Sequence, residues 1–243
     1  MKRNIKIFID IIMLILLIVL MSYITVEVQT HEILGFITMF LFGIHLFLNR
    51  QWFTALNKGK YCFRRCMYLV VNILLIIALC FVIISSLLIS SYVFSFLPFK
   101  TSHIGRIMHL ASTSWLFILV SIHIGLHFNV ILYQLNKRTK QSRFQCVIYL
   151  ILFSWYAYGF IVFKNAKLWN DMFVINEFKF FDYSLSPFLI CFRYISIAYF
   201  VSMTCYMISK NRKNYEVREN LIAYRRIYDY EHNKNKTRRN VKN

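Results

Sequence analysis

Six apolar runs, each about as long as a bilayer is thick, divide this chain, and short polar segments join them. A helix of roughly 20 apolar residues crosses the ~30 Å hydrocarbon core, and it satisfies its own backbone there, as lipid cannot. The runs lie at about Ile7–Val26, His31–Leu48, Met67–Val93, Gly105–Tyr133, Cys146–Phe163 and Pro187–Ser209. Hydrophobic residues make up 58% of the 243, more than the core of a soluble domain of that length conceals. The first run is too long for a signal peptide and lacks a small-residue cleavage site, so it reads as a retained helix. Pro187 suits a first helical turn, with Ser186 or Ser184 as its cap. The expected fold is all-α, a polytopic bundle of six spans over residues 1–209, followed by a basic tail over 210–243.

The formal charge of +19 resembles a nucleic-acid signal, but its distribution argues for a membrane. Lysine and arginine gather at Lys2–Lys6, Arg50–Arg65, Lys137–Arg143 and Lys210–Lys242, all on one side once the spans are drawn. Segments 50–66 and 134–145 carry five and four basic residues and no acids, whereas 94–104 carries one Lys. Segment 164–186 balances Lys164, Lys167 and Lys179 against Asp171, Glu177 and Asp182. By the positive-inside rule both termini are cytoplasmic, and no nucleic-acid motif accompanies the charge. In the tail, Val217, Leu221, Tyr224 and Tyr228 share a helical face with Arg218, Arg225 and Arg226 nearby, which suits an anionic inner leaflet or a plain solvated anchor.

Six cysteines are scattered, and Cys62 and Cys66 form C-x3-C without a second ligand pair, so they read as free thiols rather than a zinc site. Covalent c-type haem is excluded, because C-x-x-C-H is absent.

The histidines carry more. His31 and His45 stand fourteen residues apart on the second run, and His109 and His123 stand fourteen apart on the fourth. Fourteen helical steps return to within about 40° of the same face after a rise of about 21 Å. Each helix thus presents two imidazoles on one face, one near each leaflet. One helix intervenes, so the two run parallel, and His31 then opposes His109 while His45 opposes His123. Two opposed imidazoles supply the axial ligands of a haem iron, and two levels supply two b-type haems in a four-helix dihaem cytochrome b core. The stretches HEILGFITMFLFGIHLFLNRQWF from His31 and HLASTSWLFILVSIHIGLHFNVI from His109 also read as copies, sharing I-H-[LI]-x-L-[NH] at the second histidine.

Subsidiary candidates surround this set. Gly35 and Gly105, four residues from His31 and His109, would admit a porphyrin edge on the ligand face. Gly43 and Gly125 point elsewhere and suit helix packing. Arg106 is a candidate propionate partner or an ordinary snorkelling arginine. His127, one turn beyond His123, is a propionate partner, a quinone ligand or the iron ligand itself; the matched spacing favours His123. His103 reads as an outer-loop residue and His232 as a surface residue. Glu32 and Arg193 are costly in a membrane and call for partners, and Glu32 is also a candidate proton acceptor near a quinol.

These residues resemble the flavinylation-associated cytochromes (the DUF4405 domain), within the wider group of dihaem membrane cytochromes b that includes formate dehydrogenase gamma subunits. H-E-x-x-G at His31, I-H-L-x-L-N at His45, the H…I-H-x-x-L-H pattern from His109 to His127, and FKFFDYS at Phe178–Ser184 carry the resemblance over about residues 5–208. It implies electron transfer between membrane quinone, a diffusible partner, and an extracytoplasmic flavin-bearing redox protein, with His31, His45, His109 and His123 as ligands. Arg193 and the basic tail depart from it. No flavin, nicotinamide or iron–sulfur motif is present, so donor and acceptor are separate molecules. Two alternatives stand beside this reading. A ferric-reductase-like membrane haem domain also uses histidines about fourteen residues apart. A small transporter or scaffold would use them as polar helix contacts, although no span contains an interior proline.

Overall fold

The computed structural model describes residues 2–56, 63–98, 102–139, 145–175 and 184–210. The amphipathic tail segment, Cys62, His232 and most of the Phe178–Ser184 stretch lie outside the described residues. Over the described residues the chain is an all-α, multi-pass membrane protein: six helices among them are long and apolar enough to cross a bilayer. They are α1 (Lys2–Met21), α2 (Val28–Leu48), α4 (Phe63–Ile89), α5 (Ser102–Thr139), α6 (Gln145–Ala166) and α8 (Pro187–Lys210). Two short helices, α3 (Gln51–Ala55) and α7 (Leu168–Met172), lie in the connections.

The helix ends show where local chemistry moves a boundary. Helix α1 runs back through its basic residues to Lys2 and stops at Met21 rather than Val26; just past its end Ser22 turns its hydroxyl onto the Ile18 carbonyl at 2.8 Å. A 3-10 turn over Tyr23–Thr25 then reverses the chain into α2. Helix α4 ends at Ile89, four residues before the expected Val93. The amides of Ser91, Tyr92 and Val93 donate to Glu32 rather than to helical carbonyls. Ser186 meets its expected role, its hydroxyl accepting from the Leu189 amide at 3.4 Å in the first turn of α8.

Helices α4 and α5 form an antiparallel pair, and α1 pairs with α2. Gly105 brings α5 close to α4, where a Cβ would strike Ile89 and Leu88. Gly125 and Gly159 do the same for α5 and α6 against α8, each set against a backbone carbonyl, that of Ser202 and that of Ser196. Small residues let helix backbones approach where lipid offers no hydrophobic drive for association. The main core gathers Leu17, Ile18, Phe117, Val162, Leu168 and Ile197, so α1, α5, α6, α7 and α8 meet around Phe117, which is fully buried. No residue of α2 is buried.

Candidate functional site

The face of α2 that bears His31 and His45 looks toward α5, across a region where α2 has little protein against it. Neither Gly35 nor Gly43 has a heavy atom within 4 Å of where a Cβ would stand. Gly43 therefore does not serve the helix packing expected of it, while Gly125 does; Gly105 is filled by α4, so only Gly35 leaves room on the ligand face.

At the end of the bundle near the α1–α2 turn, the structure brings His31 and His109 together. Their ring centroids are 6.3 Å apart with planes at 73°. The ring of Tyr23 stands edge-on to His31 at 5.1 Å. His109 Nδ1 lies 3.2 Å from Ser85 Oγ and 3.4 Å from Ser86 Oγ, both on α4, leaving Nε2 for other use. Among the described residues His31 Nδ1 is buried without a hydrogen-bond partner, a costly state for a polar nitrogen. Beside it, Glu32 accepts from Ser90 Oγ and from three successive amides, Ser91, Tyr92 and Val93, at 2.7–2.9 Å. The partner expected for Glu32 is thus a backbone nest at the end of α4, which fixes His31 in register with His109. Arg106 and His103 are exposed at this end.

At the opposite end, His45 and His123 are held separately. His45 Nδ1 donates to Asp10 Oδ1 of α1 at 2.7 Å. Its Nε2 is 3.5 Å from the Asn49 amide nitrogen, and Asn49 in turn accepts from Lys6 Nζ at 3.0 Å. His123 Nδ1 donates to Asn72 Oδ1 of α4 at 3.0 Å. The His127 ring packs 4.9 Å from His123 and 5.0 Å from Tyr68, whose hydroxyl donates to the Leu126 carbonyl. No ring contact joins His45 to His123 among the described residues, so the second level is a pair of oriented imidazoles rather than a closed pair.

Among the described residues no three His, Cys, Asp or Glu side chains gather as a metal-binding cluster. Haem iron needs only two axial side chains, so the test is the pair. A metal held at about 2.0 Å by one nitrogen of each imidazole sets the two centroids roughly 6 Å apart, which the His31–His109 separation matches. Ligating imidazoles also fix their other nitrogen on a second group, as His45, His109 and His123 each do through Nδ1. The His31–His109 pair fits the spacing such a group would need, and the His45–His123 level shows the oriented nitrogens without the closed spacing.

Asp10, Asn72 and the Ser85–Ser86 pair were not singled out from sequence. Their signal was present: Asp10 is the one acid of the first run and Asn72 the one amide of the third. Comparison with protein-family models, with curated proteins and with solved structures finds no match for this chain.

Proposed function

We propose that this protein is a dihaem b-type cytochrome that carries electrons across the cytoplasmic membrane between the quinone pool and an extracytoplasmic flavoprotein. The observation that carries the reading is the His31–His109 pair, two imidazoles with centroids 6.3 Å apart on helices from different hairpins, which would hold a haem iron between them. His31 and His109 would hold one haem, and His45 with His123 the other, with His127 beside the latter. A haem bound at each level supplies one-electron chemistry that no side chain here can perform. The chain's own contribution is orientation. Ser85, Ser86, Asn72 and Asp10 hold the imidazoles, Glu32 locks the end of α2 to the end of α4, and apolar helices keep water from the slot.

The positive-inside bias supports an orientation with both termini in the cytoplasm. The His31–His109 level then faces outward, and the outer loops over 94–104 and 164–186 would be the natural dock for an external redox protein. The resemblance of the histidine pattern to that of the flavinylation-associated cytochromes supports the same partners. The test is purification in detergent after expression with haem supplied, followed by oxidised and dithionite-reduced spectra and a pyridine haemochrome assay. Two b-type haems per chain, falling to about one in His45→Ala, support the proposal. A colourless, stably folded protein overturns it and leaves a transporter or scaffold with polar histidine contacts.

A further inference from the structure

We infer that Asp10 is a positioning residue that acts through His45 and makes the haem site at the His45–His123 level the harder of the two to reduce. The inference rests on the dihaem reading above. Helices α1 and α2 run antiparallel, and two residues one turn apart on each meet in register. Lys6 reaches Asn49 at 3.0 Å, and Asp10 reaches His45 at 2.7 Å. Asp10 lies six residues inside the apolar span that begins at Asn4, about 9 Å from its start. An isolated carboxylate at that depth is expensive, and among the described residues its one ion-pair partner is His45.

The four imidazoles differ in what holds them. His109 Nδ1 meets two serine hydroxyls, His123 Nδ1 meets a neutral amide, and His31 Nδ1 has no hydrogen-bond partner among the described residues. Among the described residues only His45 Nδ1 is hydrogen-bonded to an acid; the Glu32 carboxylate beside His31 is taken up instead by Ser90 Oγ and three backbone amides. A carboxylate that accepts the Nδ1 proton shifts electron density toward Nε2, which the Asn49 amide nitrogen approaches to 3.5 Å and would yield to a metal, and makes that nitrogen a more basic ligand. A more basic ligand, with an anion behind it, favours the ferric over the ferrous state. The two levels of this bundle therefore hold unequal sites, and the inequality comes from α1, a helix that contributes no ligand.

The experiment is a redox titration followed by visible spectra on detergent-purified wild type and Asp10→Asn, each with its haem count. Asp10→Asn is expected to retain two haems and to raise one midpoint. The ferrous-to-ferric ratio of that site at a fixed potential should rise about tenfold, ~59 mV for a one-electron couple, with the other site unmoved. In a His109→Ala background, which keeps the His45 level, the shift should persist; in a His45→Ala background it should vanish. Two retained haems with unmoved midpoints in Asp10→Asn overturn the inference and leave the cytochrome reading intact. If Asp10→Asn loses a haem, Asp10→Glu must restore both the haem and its low midpoint, and failure of that rescue makes Asp10 a packing residue and also overturns it. A wild type without haem defeats the cytochrome reading itself, before any Asp10 variant is compared.

Discussion

Glu32 stands in the second turn of α2, and its carboxylate accepts four hydrogen bonds from a segment nearly sixty residues downstream. Three of the donors are backbone amides at the end of α4, which would otherwise lack partners near the membrane. Hydrogen bonds to a charged group contribute about 1.5–3 kcal/mol each, and losing them together exposes every donor at once. Glu32→Ala is expected to destabilise the fold by about 2–4 kcal/mol, measured as an earlier midpoint in detergent–SDS unfolding, with Glu32→Gln milder. An unchanged midpoint for Glu32→Ala would remove Glu32 from its place as the clasp between α2 and α4. Asn72 acts on a single ring. Asn72→Leu leaves His123 without its Nδ1 acceptor, and the expected result is a folded protein with weakened haem binding at one level, read by the haemochrome assay after dilution.

The glycines separate seams from openings at the scale of the helix. Gly125 lies against the Ser202 carbonyl and Cys205 of α8, so Gly125→Leu must push α5 away from α8 and is expected to abolish stable folding. Gly35 meets nothing within 4 Å, so Gly35→Leu should leave the unfolding midpoint within about 1 kcal/mol of wild type while filling the slot and lowering haem content. If Gly35→Leu binds haem as well as wild type, the cofactor does not sit between α2 and α5.

The spans themselves were legible in the sequence, because lipid leaves an apolar run of this length few alternatives to a helix. Their ends were less so. The early stop of α4 depends on Glu32 reaching it across the bundle, a contact that no local pattern announces. The same holds at the candidate site. Fourteen-residue spacing shows that His31 and His45 share a face, and topology then sets His31 against His109. Asp10 meeting His45 depends on the register of α1 against α2, which periodicity within one helix cannot supply. The room at Gly105 was misjudged for a similar reason, since the neighbour that fills it is on α4.

The basic clusters predict one orientation of the whole molecule. Green fluorescent protein fused after Asn243 should fluoresce, and alkaline phosphatase at the same point should be inactive. The reverse result would turn the His31–His109 level toward the cytoplasm and remove the proposed external partner. Helix α2 has a further consequence at this scale. With no buried residue, it gains little by touching protein instead of acyl chains. Besides its packing along α1 and the Phe36–Phe94 ring contact, it is fastened by hydrogen bonds near its two ends: Glu32 to the amides after α4, and His45 and Asn49 to Asp10 and Lys6 of α1. Such ties are strong where water is scarce and weaken where it competes. The choice of solubilising agent thus becomes part of the biochemistry. Mild, thick micelles should preserve the six-helix form, whereas short-chain or charged detergents should release α2 first and leave a soluble remnant, without the His31–His109 pair, whose helical content looks almost native.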